Sequence, residues 1–203
     1  MTDFLDEFFE YKTQEISHFA EFLEESHHPL LIGIDGRCAS GKTTFAGLLC
    51  AKLNCPVIHA DDFFLRPEQR TEARYAEPGG NMDRERLEEV LEQVKQQKEV
   101  TFQRFDCKVM QMGGQITVPA SEAVIVEGSY CLHPDLRKYY GLKIFLDVSP
   151  EDQMERLKKR EPAEKVQMFQ NQWIPLEEKY FASCGVQDVC DVTVNSSMKD
   201  TEF

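Results

Sequence analysis

The chain has 203 residues, 41% of them hydrophobic and 29% charged, enough for a globular protein with its own core. Its net charge of −13 argues against nucleic acid or an anionic membrane as the main partner, because both reward a basic surface. The seven cysteines form no C-x-x-C pair, so they suit reduced thiols in a cytoplasmic protein better than a disulfide framework or a zinc site.

In residues 3–26, Phe4, Leu5, Phe8, Phe9, Ile16, Phe19, Phe22 and Leu23 fall at largely helical spacing, and six glutamates occupy the other face. We expect an N-terminal helical extension over residues 1–28 that packs on the domain as an extra layer, with a contact in a homo-oligomer as the alternative. No apolar run reaches the length of a membrane span, and the acidic start is not that of a signal or transit peptide.

Residues 30–34 are short, apolar and suited to a buried strand, and residues 44–53 read as a helix. Between them Gly36, Arg37, Cys38, Ala39, Ser40, Gly41, Lys42 and Thr43 fit G-x-x-x-x-G-K-[ST], the phosphate-binding P-loop, with Thr44 following. The spacing has a chemical reason. The glycines let backbone N–H groups curl around an anion, and the helix N-terminus adds its own free N–H groups and dipole. Lys42 is expected to reach the β- and γ-phosphates of a nucleotide, and the Thr43 hydroxyl to ligate Mg²⁺. Cys38 reads as a small residue in the loop.

Residues 56–60 read as a second strand running into Asp61, Asp62, Phe63 and Phe64. Two carboxylates at the C-terminal end of a strand fall where open α/β sheets bind ligands. Residues 65–82 are loop-like, and their Arg66, Arg70 and Arg74 either steer an anionic substrate or are simply solvated. Asp83 is an N-cap for a helix over 84–97, whose apolar stripe is Leu87, Val90, Leu91 and Val94. A strand over 100–105, a turn at Gly113 and Gly114, and a strand over 115–118 suggest a small β excursion covering the site. Residues 123–128 form the next core strand and end in Glu127 and Gly128, the pattern of an apolar run closing on an acidic metal or water contact.

Residues 142–148 read as a fourth core strand, followed by a helix whose end carries Arg156, Lys158, Lys159 and Arg160. The cations suggest a lid that closes positive charge over a transferring phosphoryl group. A second helical stretch over 163–182, interrupted by Pro175, carries aromatics expected in the core, and residues 189–194 form the last strand. Strands alternate with helices, so the expected fold is α/β: a three-layer P-loop NTPase with a central parallel sheet. One domain is expected over 1–203, with its core at 30–195.

GIDGRCASGKTT, HADDFF, NMDRERL, FDC, VIVEGSY and LKIFLDVSPEDQMERLKKRE occur in the order seen in the uridine kinase-like group of P-loop kinases, which the chain resembles over residues 30–195. That group includes uridine–cytidine, nicotinamide riboside and pantothenate kinases and phosphoribulokinase. The resemblance implies ATP-dependent transfer to a hydroxyl of a small molecule, a nucleoside first. A vitamin precursor, a sugar, or a non-catalytic ATP-binding regulatory role are the alternatives. It implies ATP and Mg²⁺ as cofactors. By the same resemblance Asp61 activates the acceptor hydroxyl and Asp83 binds ribose hydroxyls; Asp62, which stands where the nucleoside kinases often have a serine, is a candidate for the substrate side with Phe64 and Phe105. Glu127 stands near the metal with Thr43 and Asp61, and Arg156 and Arg160 belong to the lid. The base-contacting histidine of the uridine–cytidine enzymes is missing after Asp106, where Cys107, Lys108, Val109 and Met110 stand.

Overall fold

The computed structural model describes residues 29–197. The expected N-terminal helices lie outside the described residues. The centre is β1 (Leu30–Gly36), buried along its whole length. Its parallel neighbours are β5 (Ala123–Glu127) and β6 (Leu142–Asp147), and β2 (Val57–His59) and β7 (Val192–Asn195) lie outside them. The order is β2-β5-β1-β6-β7 and every pairing is parallel.

Alternation along the strands divides the core between two faces. Leu30, Ile32, Ile34 and Ile125 meet Phe45, Ala46 and Leu49 of α1 (Lys42–Leu53). Leu31, Val124 and Val126 point the other way, into a cluster with Leu87, Val90, Leu91 and Val94. Those four are the buried stripe of α3 (Arg84–Lys95), whose N-cap is Asp83. Burial of each such side chain stabilises the fold by about 1.5–3 kcal/mol. The short α2 (Glu72–Ala76) lies in the segment before α3, and α4 (Pro150–Arg160) follows β6. The register sets Ile34 beside Glu127 and Glu127 beside His59, so β1, β2 and β5 deliver their C-terminal ends to one edge of the sheet.

Three local expectations change. The β excursion is an antiparallel hairpin of β3 (Val100–Asp106) and β4 (Gln111–Val118), and its turn is 107–110. Gly113 and Gly114 lie inside β4 instead. Asp106 Oδ1 accepts the Lys108 N–H, and Met110 takes a positive φ of 56°, which together make the turn early. The helical stretch near Pro175 divides into α5 (Ala163–Met168), a π-turn over Phe169–Trp173 and α6 (Ile174–Cys184). Proline cannot donate to the preceding turn, and the wider turn takes up the mismatch. Of its aromatics, Tyr180 and Phe181 are core, whereas Phe169 and Trp173 are only half-buried. The last strand begins at Val192, after a 3₁₀ turn over Gln187–Val189.

Candidate active site

Gly36 closes β1 with a φ of 136°, and a Cβ there would lie 2.0 Å from the carbonyl oxygen of Leu146. Only glycine allows the chain to leave the sheet so tightly against β6. The loop then turns through Ala39, at φ 59°, and Gly41, at φ 93°, into the first turn of α1. No side chain caps that helix, so its leading N–H groups are left to face an anion. The Ser40 hydroxyl is buried without a partner among the described residues. Lys42 is buried and its Nζ donates to the carbonyls of Gly36 at 2.7 Å and Arg37 at 2.9 Å. The loop is therefore a closed ring of backbone with the ammonium group at its rim.

Thr43, Glu127, His59 and Asp61 gather beside Lys42. Thr43 Oγ1 donates to Glu127 Oε1 at 3.1 Å, and His59 Nδ1 lies 2.6 Å from the same oxygen. That hydrogen bond raises the His59 pKa above its ordinary value. Gly128 follows Glu127 at φ 138°, where a Cβ would fall 2.8 Å from Ala60 and 3.3 Å from Asp61 Oδ1. This close approach seats the 3₁₀ turn over Ala60–Phe63 against the end of β5. Asp61 is reachable by solvent yet enclosed by protein on most sides. The enclosure raises its carboxyl above the usual aspartate range, Lys42 and His59 oppose the rise, and Glu127 and Glu177 add to it.

Two buried carboxylates escaped the sequence reading. Asp35, on β1, accepts the N–H groups of Gly36, Tyr130 and Leu132 at 2.7, 3.2 and 2.9 Å and the Tyr180 hydroxyl at 2.9 Å. Glu177, on α6, accepts the Cys38 N–H at 3.0 Å and the Ser129 hydroxyl at 2.7 Å. Glu178 pairs with Arg37, which also donates to Asp147 at 2.7 Å. The P-loop is thus held from behind by one helix, and Arg37 is spent on that contact. Nothing in the sequence marks Glu177, since its partners lie 139 and 48 residues away. Glu177→Ala strips both bonds from a buried carboxylate position and is expected to lower unfolding stability by about 3 kcal/mol in urea titration. A change below about 0.5 kcal/mol would remove this clamp from the account.

Cys38 is buried, accepts from Gln153 Nε2 at 3.2 Å, and its thiol is pushed up to about 12, mainly by burial and then by Glu177. At neutral pH it is a packing residue with almost no thiolate. Arg156 and Arg160 part company. Arg156 donates to the carbonyl of Ala39 at 3.2 Å and to Ser196, which ties α4 to the loop and to the end of β7. Arg160 is exposed, donates to Glu161 at 3.0 Å and lies over the Phe169 ring.

On the other side of Asp61, the backbone of Phe63 accepts the Asp83 N–H at 2.7 Å, and Phe64 bridges to Met82. Asp62 is half-buried, which raises its carboxyl above the ordinary value, and its carbonyl accepts from Arg86 at 2.6 Å. Phe105 is buried under the guanidinium of Arg70. The structure therefore brings Asp61, Phe64 and Asp83 to one stretch, while Phe105 supports it from the hairpin.

The donor set fits a magnesium nucleotide. The orphaned Ser40 hydroxyl and uncapped helix start suit phosphate, and Thr43, Asp61 and Glu127 are all hard oxygen donors. Among the described residues no three His, Cys, Asp or Glu side chains form a ready metal cage. Magnesium commonly takes one or two protein oxygens and completes its shell with phosphate and water. Among the described residues no helix is long and apolar enough to cross a membrane.

A sequence model of the family described as AAA domain matches residues 32–173. Uridine kinase-like protein 4 of Arabidopsis thaliana is 28% identical over 144 residues, 67% of this chain and 31% of that protein. The uridine kinase of Ureaplasma parvum serovar 3 is 26% identical over 159 residues, 71% of this chain and 76% of that protein. The chain thus spans about a third of the plant relative and three quarters of the bacterial one. A solved structure described as a possible uridine kinase from Bacillus stearothermophilus shares the fold, with a TM-score of 0.64 at 21% identity over 89% of this chain and 97% of that one.

Proposed function

The chain belongs to the AAA-domain family of P-loop proteins, within the uridine kinase-like group of P-loop kinases, and from that premise we propose that it transfers the γ-phosphoryl group of ATP to a hydroxyl of a small molecule. The observation that carries this reading is the placement of Asp61, a carboxylate raised above its ordinary range, in the field of Lys42 and at the same sheet edge as Glu127 and Thr43. A simple nucleotide-binding loop has no use for a second carboxylate held beside the first.

In this reading Lys42 and the loop N–H groups hold the β- and γ-phosphates. Thr43, with Glu127 and Asp61 acting through water, holds Mg²⁺, which when bound neutralises charge on the phosphate oxygens. Asp61 orients the acceptor hydroxyl and takes its proton, a task suited to a carboxyl raised above its ordinary range. Arg156 steadies the loop from behind, and Arg160 is the lid cation left to swing toward the transferring group. Positioning and electrostatics carry phosphoryl transfer, so the residues need form no covalent intermediate.

The test is ADP release from ATP with the full chain across uridine, cytidine, nicotinamide riboside, pantothenate and pentoses, with Mg²⁺ present. At least one acceptor is expected to raise ADP release well above the acceptor-free rate. Tight ATP binding with no stimulation by any acceptor would favour a regulatory nucleotide-binding role instead.

A further inference from the structure

The sheet has two apolar faces, and their covers differ. On one face α3 and α6 pack Leu87, Leu91, Tyr180 and Phe181 in a cluster with Leu31 and Phe145. The other face carries α1, which packs along β1, β5 and β2. Beyond α1 on that face, β6 presents Leu142, Ile144 and Leu146, and β7 presents Val192 and Val194. Among the described elements the main packing partner of β7 is its neighbour β6. Yet Ile144, Leu146 and Val194 are only 0, 2 and 5% exposed. A side chain on an edge strand reaches such burial under a second layer, so this face has a cover that the described elements do not supply.

Two stretches of chain lie outside the described residues, 1–28 and 198–203. The later one offers Met198 and Phe203 as its apolar residues, too few to cover side chains from two strands. The earlier one carries Ile16, Phe19, Phe22 and Leu23 at helical spacing, with Glu15, Glu21, Glu24 and Glu25 between them. It joins the described chain at Pro29, which leads directly into β1, the strand paired with β6. Residues 14–26 as a helix would be roughly 20 Å long, which matches roughly 20 Å for a strand the length of β6. Charge agrees with this placement. α1 ends near the strand starts, shortly before β2 begins, and the cation in its last turn is Lys52. Glu21, Glu24 and Glu25 would arrive at that same end of the sheet on their way to Pro29.

We propose that residues 1–28 are this cover, docked in the same chain over β6 and β7 beside α1. Residues 14–26 run down this face with their apolar side chains on Ile144, Leu146 and Val194 and their glutamates outward, and the chain turns at Pro29 into β1. Leu48, half-buried on the flank of α1, becomes part of the same contact. The helix that presents the phosphate loop thereby gains an apolar neighbour besides the sheet. This cover is independent of the kinase reading. The net charge of −13 sets the stretch against an anionic lipid surface as its alternative resting place.

The test places a photo-crosslinker on the face in the full chain, as Val192→benzoylphenylalanine, and irradiates an equal mixture of isotope-labelled and unlabelled protein. Cross-linked peptides are read by mass spectrometry. Links from position 192 to residues 14–26 within one chain are expected. Links that join labelled to unlabelled peptides would give the face to a second copy, and links to 198–203 would give it to the other terminus. Either result overturns the proposal, as does the absence of any link to 1–28. A second measurement leaves the described residues unaltered. Phe19→Asp is expected to lower Tm by about 5 °C, whereas Glu10→Gln on the polar face shifts it by less than about 1 °C. A Phe19→Asp shift no larger than that of Glu10→Gln overturns the proposal. So does cosedimentation of the unaltered chain with phosphatidylcholine–phosphatidylglycerol vesicles, because the same side chains cannot face lipid and sheet at once.

Discussion

Lys42→Ala is expected to lower acceptor-dependent ADP production by about a thousandfold, the scale set by removing a preorganised charge from a transition state. Lys42 is the buried cation at the rim of the loop, held at 2.7 and 2.9 Å from the Gly36 and Arg37 carbonyls. Its ammonium group is already immobilised, so little is lost in ordering it when charge moves onto the phosphoryl oxygens. Arg156 cannot replace it, because that guanidinium is committed to Ala39 and Ser196. The measurement is kcat/KM for ATP and for the acceptor, with circular dichroism to show that the variant remains folded. A folded variant within about fivefold of the unaltered chain would take Lys42 out of the reaction.

Asp61→Asn is the second large effect. Loss of a general base is expected to lower kcat by about 10²–10⁴-fold with little change in ATP binding. The pH dependence makes this specific. Burial comes first among the causes that lift Asp61 above the usual value of 3.8, and Glu127 and Glu177 add to it against Lys42 and His59. In the proposed role the base works as a carboxylate, so kcat/KM is expected to fall as pH drops through the raised pKa. The acid limb should therefore stand above the ordinary aspartate range and vanish in Asp61→Asn. The sign for stability runs the other way. A carboxyl whose folded pKa is raised disfavours the fold when it is ionised, so the neutral amide should leave stability at neutral pH unchanged or higher. A rate loss accompanied by unfolding would point to a structural role, and near-full kcat would assign the base elsewhere.

Much of the site is written locally. The P-loop spacing, the apolar runs of β1, β5 and β6 and the carboxylates that follow β2 and close β5 are each legible within a few residues, although the strands meet only in the fold. Asp83 is readable as an N-cap for the same reason, and its side chain does accept the Arg86 N–H at 3.4 Å. The turn at 107–110 was misplaced because two glycines outweigh an aspartate side chain in any local scan, although the aspartate makes the turn. The lid arginines look equivalent along a helix, yet one reaches the loop and the other faces solvent.

What the sequence alone determined was the donor end of the chemistry: a P-loop after a buried strand, with carboxylates ending the strands beside it. Those features need only short-range patterns, since a strand, a glycine turn and a helix start are decided within a dozen residues. The tertiary structure decided how the loop is held and which groups stand beyond the carboxylates. Glu177 reaches Cys38 across 139 residues and Tyr180 reaches Asp35 across 145. Asp83 and Arg86 acquire their buried, unfilled hydrogen-bonding atoms only when the segment after β2 folds against α3. Such contacts depend on chain reversal and on which neighbours are already satisfied, and neither is carried by residue order alone.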